Sequence, residues 1–362
     1  MKTFPFIYNQ PKDFLNSLQW KDWADFLLGE INPLFSFTET KAKVIDIREE
    51  TADSRTFVLR TNRNWKGIQA GQHFPVSVEI AGRKVTRFYS LSGLSKEKRT
   101  LQITVKKQAG GLVSHYLNER TQVGDILGLG AAQGDFVLPK TLPNSILFLA
   151  GGSGITPVHS LLQDLKERNF QGKAKLLYFS RHDKDIILQD SLDLLEKENS
   201  WLEIKHVLTD IKSEEYDFGF LSKKMLEDFA PNWKESLVYL CGPAPLQNSA
   251  KQLLAGAEIK SELFLLPNQR VSAFSSNGPK EVSLLLSHKT VQIKGEKSIL
   301  EELEEIGIFA PSGCRMGICH TCVCKKKSGA VSHMVKEEAS GEGEENIQIC
   351  VSRAVENLEL EL

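Results

Sequence analysis

The chain has 362 residues, too many for one small core and enough for two or three domains. Its 45 basic and 46 acidic side chains nearly cancel, so no global field draws it to nucleic acid or an anionic membrane. Six cysteines, four of them in one metal-binding pattern, do not read as a disulfide framework and imply a reducing compartment. With no basic-then-apolar leader and no run near 18 apolar residues, the sequence predicts a cytoplasmic protein.

Residues 1–40 read as an N-terminal extension. Phe14, Leu15 and Leu18, then Trp23, Phe26 and Leu27, recur at helical spacing until Gly29 and Pro33 interrupt them. One or two short helices packed on the next domain account for this. A docking surface for a partner or a membrane face is the sharper alternative, although Asp13, Asp22 and Asp25 on the stripe argue against anionic lipid.

Residues 41–140 have strand texture. AKVIDIRE, RTFVLRT, HFPVSVEI, KVTRFYSLS, TLQITVKKQ and DILGLGAAQGDFVL alternate or run β-branched and apolar between turn residues. They predict a small antiparallel barrel, interrupted by one helix over 112–119. Within it lie Arg87, Tyr89 and Ser90, then Gly110, Gly111, Val113 and Ser114. An arginine can clamp a pyrophosphate, a tyrosine can stack on an isoalloxazine ring, and a serine can hydrogen-bond a ring nitrogen. A Gly-Gly turn entering a helix offers backbone N–H groups to phosphate. Singly, each is as well explained as a barrel or turn residue.

Residues 141–266 change to βαβ periodicity. The strand-length runs SILFLA, AKLLYFS, LEIKHVL, SLVYLC and ELFLL alternate with helical patterns, which predicts a doubly wound parallel sheet. Directly after the first run comes GGSGITP, with Gly152, Gly154 and Thr156 where a strand-to-helix turn can receive a dinucleotide. Thr156 is expected to cap that helix and Pro157, which replaces the third fingerprint glycine, to take its first position. Cys241 ends SLVYLC at the edge where ligands gather, and as a small polarisable group it can border a nicotinamide. Arg181 can pair with a 2′-phosphate, whereas Asp210 can accept from a ribose 2′-hydroxyl. Residues 267–280 are polar and turn-rich, a linker.

Residues 281–362 carry Cys314, Cys319 and Cys322 as C-x4-C-x2-C, with Cys350 after a long gap. This is the plant-type ligand set of a [2Fe–2S] cluster. A zinc ribbon pairs two short knuckles, and the second is missing. Ser312, Gly313 and Gly317 are expected to free the loop backbone. Cys324 reads as a small buried side chain on a strand, or as a substitute ligand. Ser298 and Glu301 form a capping-box pattern. Residues 336–362 hold eight acidic against two basic side chains, either a solvated surface or an electrostatic docking face for an acceptor.

In this order, R-x-Y-S, G-G-x-V-S, G-G-x-G-I-T-P and C-G-P resemble the ferredoxin–NADP reductase superfamily, and the cysteines resemble a fused plant-type ferredoxin of β-grasp fold. The resemblance covers about 41–362. It implies that Arg87, Tyr89 and Ser90 bind FAD and that Gly110, Gly111, Val113 and Ser114 bind its phosphates. It also implies that Gly152, Gly154, Thr156 and Cys241 meet NAD(P)H, with Ser90 and Cys241 at the reacting centre, and that the cysteines hold the cluster. The flavin takes two electrons as hydride and passes them singly to the cluster, so the protein positions and tunes rather than supplying acid and base groups. NADPH is favoured over NADH. Asn32-Pro-Leu-Phe-Ser36 resembles the reductases of acyl-CoA or fatty-acid desaturases, which makes such an iron enzyme, reached by peripheral docking at a membrane, the expected acceptor. The alternatives are a Rieske-type oxygenase or hydroxylase and, in another class, a redox sensor.

Overall fold

The computed structural model describes Asp25, Gly29 and residues 32–94, 97, 99–262, 278–313, 315, 317, 320–334 and 338–362. The apolar side chains of the expected helical stripe, Phe14 to Leu27, and residues 267–277 of the linker lie outside the described residues. No helix among those described is long and apolar enough to cross a membrane.

The alternating segments become β1 (Thr40–Thr51), β2 (Ser54–Thr61), β3 (His73–Ile80), β4 (Arg83–Leu94), β5 (Thr100–Lys106) and β6 (Ile126–Leu129). They close into an antiparallel barrel in the order β1-β2-β5-β4-β3-β6. Period-2 alternation sends Phe57, Leu59, Phe74, Val76, Leu91 and Ile103 inside, all fully buried. Helix α1 (Leu112–Glu119) packs Val113 and Leu117 into the same core. The last segment is shorter than its sequence suggests. Strand β6 stops at Leu129, and only a single bridge, His73 to Gln133, continues it. Gly134 then turns with φ +103°, and Phe136 and Leu138 are buried in the core of the next domain instead.

That domain is a six-stranded, wholly parallel sheet in the order β10-β9-β8-β7-β11-β12. Its strands are β7 (Ser145–Gly151), β8 (Lys173–Ser180), β9 (Leu202–Leu208), β10 (Asp217–Phe218), β11 (Leu237–Cys241) and β12 (Ile259–Glu262). Continuous apolar runs are required because both faces are covered. Along β7, Ile146, Phe148 and Ala150 pack with α2 (Ile155–Glu167) and α3 (Gln189–Glu198), while Leu147 and Leu149 pack with α4 (Lys223–Phe229) and α5 (Ala244–Leu253). Two strands differ from expectation. The two-residue β10 carries no periodic signal, and β12 takes in the polar stretch ahead of the expected ELFLL, whose residues after Glu262 lie outside the described residues. An edge strand buries one flank only, so IKSE can serve although it is polar.

Helix α2 also locks this domain to the barrel. The Gly71 N–H donates to Ser160 Oγ at 2.8 Å, and the Leu94 N–H to Gln163 Oε1 at 2.6 Å. His159 Nδ1 lies 2.5 Å from the Ser92 carbonyl, and its Nε2 2.7 Å from Ser191 Oγ. The helix that opens at the glycine motif therefore fixes the two domains' relative position.

The C-terminal domain is a mixed sheet, β14 (Lys289–Ile293), β13 (Lys280–Leu284), β20 (Leu358–Leu360), β15 (Val323–Ser328) and β18 (Glu345–Gln348), in that order. Only β13 and β20 pair in parallel. Helix α6 (Ile299–Glu305) lays Ile299, Leu300 and Leu303 on the sheet's core, the grasp arrangement. The capping box forms: Ser298 Oγ accepts from the Glu301 N–H, and the Glu301 carboxylate accepts from the Ser298 N–H. A smaller sheet of β17 (Glu338–Ala339), β16 (Val331–His333) and β19 (Ser352–Ala354) completes the described strands.

Candidate active site

The strand order of the parallel sheet reverses between β7 and β11, and ligands enter this architecture in the crevice beyond such a switch point. Strand β7 ends at Gly151 and β11 at Cys241, so the two motifs that sequence kept 90 residues apart border one crevice. Their loops meet backbone to backbone. A Cβ on Gly154 would stand 2.3 Å from the Cys241 carbonyl oxygen, and one on Gly242 would stand 3.0 Å from the Gly151 nitrogen. Gly152 has φ +53° with open space beyond its Cα. A cradle that side chains would fill is what a closely approaching dinucleotide needs.

The helix start differs in detail from expectation. Gly152–Gly154 make a 3-10 turn, and α2 begins at Ile155 with Gly154 as its cap. Thr156 is thus already inside the helix, its hydroxyl donating back to the Ser153 carbonyl at 3.0 Å, and Pro157 occupies the third helical position. The tight turn brings the helix forward, so the cap needs no side chain. Cys241 is fully buried, and burial, reinforced by the nearby Glu262 carboxylate, raises its thiol pKa well above the ordinary value. It is a neutral, apolar wall rather than a thiolate nucleophile.

Arg181 and Asp210 follow β8 and β9 on the same edge of the sheet. Both are exposed, and the Asp210 N–H donates to the Arg181 carbonyl at 3.2 Å. The Asp210 carboxylate accepts the Thr209 hydroxyl at 2.7 Å. The structure therefore brings together the two residues that argue for opposite nucleotides.

On the barrel, strand alternation splits the R-x-Y-S group: Arg87 and Tyr89 share one face of β4, and Ser90 lies on the other. Arg87 Nη1 donates to the Thr86 carbonyl at 2.7 Å. Burial raises the Tyr89 phenol above its ordinary range, opposed by Arg87, so it stays protonated. Ser90 Oγ is buried and has no hydrogen-bond partner. An orphaned hydroxyl on a nucleotide-binding edge fits a ring nitrogen arriving with FAD. At the Gly-Gly turn, Gly110 has φ +71° and open space, while a Cβ on Gly111 would meet Ser114 Oγ at 2.6 Å. The Ser114 hydroxyl is engaged in the turn itself, accepting from the Gln108 N–H and donating to the Gly111 carbonyl, each at 3.1 Å. The Val113 side chain is buried in the barrel, so a phosphate bound at this turn would meet backbone N–H groups at the start of α1.

Of the four cluster cysteines, Cys314 and Cys319 lie outside the described residues. The other two are brought together by the sheet. Val323 of β15 pairs with Gln348 of β18, so Cys322 and Cys350 flank the same end of one antiparallel ladder. Their sulfurs are 3.0 Å apart, both nearly inaccessible, and both unbridged. A disulfide would need about 2.05 Å. The hydrogen bond between them outweighs burial and pulls Cys322 down to about 6, a thiol ready to bind metal as thiolate. Loop freedom comes from Gly317, whose φ is +74°, and from two non-glycine positions, Arg315 and His320, rather than from Gly313. Arg315 is held there by a bidentate pair with the Glu304 carboxylate. The Gly317 carbonyl accepts from Gln348 Nε2 at 2.7 Å. Cys324 is buried in the sheet core with its pKa pushed up to about 12, the behaviour of a structural thiol.

Two site-bordering residues carry no motif. His73 Nδ1 lies 2.6 Å from Glu262 Oε1, joining β3 of the barrel to β12 of the parallel sheet. A carboxylate opening the apolar run ELFLL was the available signal, and it says nothing of a histidine 189 residues away.

The chain as a whole compares with known proteins as follows. Residues 41–138 match the oxidoreductase FAD-binding domain family, 148–252 the oxidoreductase NAD-binding domain family and 285–355 the 2Fe-2S iron-sulfur cluster binding domain family. It is 30% identical over 334 residues to an NADPH oxidoreductase of Mycobacterium tuberculosis, covering 91% of this chain and 86% of that one. The chain belongs to the ferredoxin–NADP reductase superfamily. Its branch carries a C-terminal [2Fe–2S] ferredoxin domain, and the protein is an NAD(P)H oxidoreductase. The reductase is 26% identical to the glycine betaine monooxygenase reductase subunit of Chromohalobacter salexigens, over 83% of this chain and 90% of that one. The solved phthalate dioxygenase reductase, described as a modular structure for electron transfer from pyridine nucleotides to [2Fe–2S], superposes with a TM-score of 0.64 at 27% identity. That match covers 89% of this chain and 97% of that one.

Proposed function

We propose that the reductase takes hydride from NADPH at the β7/β11 crevice and delivers electrons through FAD and the cluster to a terminal oxygenase. The observation that carries this reading is the shared seam. Ser90, with its unpartnered hydroxyl, and Cys241, a neutral wall, stand directly opposite two residues, His73 and Glu262, that bond across the seam between barrel and sheet. Arg87, Tyr89 and the start of α1 hold the flavin; Gly152, Gly154 and Thr156 line the nicotinamide crevice; the cysteines hold the cluster. Exposed Arg181 is the 2′-phosphate partner, and the mycobacterial relative is an NADPH oxidoreductase.

An oxygenase acceptor replaces the desaturase expected from the short Asn32–Ser36 string. Two of the relatives above are named as reductases of oxygenases, and none of them as the partner of a desaturase or of a membrane enzyme. Anaerobic titration with NADPH and with NADH tests the donor: NADPH reduces the flavin with the higher kcat/KM. Reconstitution with a Rieske-type oxygenase and, separately, with a fatty-acid desaturase tests the acceptor. Turnover with the desaturase alone would reverse that assignment.

A further inference from the structure

We infer that His73 and Glu262 form a strut across the domain seam that sets the reacting distance between flavin and nicotinamide, which makes His73 a positioning residue for hydride transfer. The inference rests on the flavin and nicotinamide sites proposed above. In the β3/β4 ladder His73 stands directly opposite Ser90. In the β11/β12 ladder Glu262 stands directly opposite Cys241. The 2.6 Å bond between Nδ1 and Oε1 therefore ties the rung beside one edge of the site to the rung beside the other.

Both ends are immobilised. The imidazole packs edge-on against Phe88, with ring centroids 5.5 Å apart. Gly134 closes over it so tightly that a Cβ there would stand 3.0 Å from the imidazole Cε1. The Glu262 carbonyl accepts from Gln247 Nε2 of α5 at 2.7 Å, which fixes the backbone of the short edge strand. Both side chains are almost entirely out of water. His73 Nε2 and Glu262 Oε2 are each buried without a hydrogen-bond partner, an expense a surface ion pair does not carry. Such a pair would be poor value for stability alone, since two apolar residues would pack there at less desolvation cost. What it supplies is direction: one short bond with a defined angle across an interface also held by α2 and by the Leu188 N–H donating to Glu50 Oε2 at 3.2 Å. With both cofactors bound, hydride would pass with its electron pair from the nicotinamide to the flavin, and an error near 1 Å in approach costs about 100-fold in rate.

The test is a stopped-flow comparison of wild type, His73→Ala, His73→Asn, Glu262→Ala and the double alanine variant, all loaded with FAD. Asparagine keeps a donor near the Nδ1 position. His73→Ala should slow flavin reduction at saturating NADPH at least tenfold while changing the nucleotide dissociation constant less than threefold. Asn should restore most of the rate, and the double variant should be no slower than the slower single one. Thermal unfolding provides a readout that needs no turnover, and the destabilisations of the two alanine variants should be non-additive there too. A wild-type reduction rate in folded His73→Ala, a variant impaired only in nucleotide binding, additive effects, or Asn no better than Ala would each overturn the strut. Failure of the wild type to be reduced by NADPH would instead strike the proposed function.

Discussion

At the residue scale, the decisive quantity is what a side chain is left to bind. Ser90 Oγ is orphaned, Cys241 is held neutral, and Cys322 and Cys350 face each other unbridged, whereas Cys324 is sealed in the core. The same pair of strands positions Cys322 and Cys350, but only the sulfurs at the ladder's end can share a metal. Cys322→Ser should therefore abolish the cluster, read as loss of about two irons per chain and of its visible absorbance. Flavin reduction by NADPH should persist, because the flavin and nicotinamide edges belong to the other two domains. Cys324→Ser should keep its iron.

At the element scale, the glycine motif works through the absence of side chains. Gly154→Ala would place a methyl 2.3 Å from the Cys241 carbonyl oxygen and 2.8 Å from the Gly242 nitrogen. Backbone on both sides must then shift. A cost of about 1–3 kcal/mol in stability is expected from overpacking of this kind, together with a clear rise in KM for NADPH, measured by denaturant unfolding and steady-state kinetics. The start of α2 was legible as a nucleotide turn from GGSGITP, but its cap was not. Whether Thr156 or Gly154 caps the helix depends on one extra 3-10 turn, which the packing of Gly154 on Cys241 imposes.

At the scale of the whole molecule, the barrel and the parallel sheet share a buried polar seam. His159 spans it between Ser92 and Ser191, and burial, only partly opposed by its bond to the Ser92 carbonyl, lowers it to about 4. The unfolded value is about 6.5. Between these values the unfolded chain binds a proton that the folded chain refuses, so stability falls as pH falls through that window. The loss between pH 7 and pH 5 is about 2 kcal/mol from this group. His159→Gln should flatten that dependence, measured by urea unfolding at the two pH values. The acidic C-terminal segment behaves differently from its charge count. Glu344 pairs with Lys325 and Lys327, Glu361 with Lys327, and Glu345 lies 3.2 Å from the fully buried Lys326. Three of its eight carboxylates are answered within the domain, Glu344 and Glu345 among them, so these two have little charge left to steer an acceptor. The triple variant E342Q/E344Q/E345Q should leave the salt dependence of electron delivery to the acceptor unchanged within about twofold.

The sequence by itself determined the three domain types, the glycine turns, the helix over 112–119 and the cysteine pattern of a [2Fe–2S] domain. Each of these rests on spacing along the chain: a period of two, a βαβ alternation, or three cysteines within a few residues of one another with a fourth 28 residues on. Tertiary structure alone decided which residues meet. Cys241 joins Gly154 because the strand order reverses between β7 and β11, and Asp210 joins Arg181 because β8 and β9 are neighbours. The lysines of β15 cancel the glutamates around β18 because antiparallel pairing sets them side by side. His73 finds Glu262 only once barrel and sheet have docked. Periodicity records which face a residue takes within its own element, whereas a bond across 189 residues is fixed by how separate elements pack, and it leaves no periodic trace.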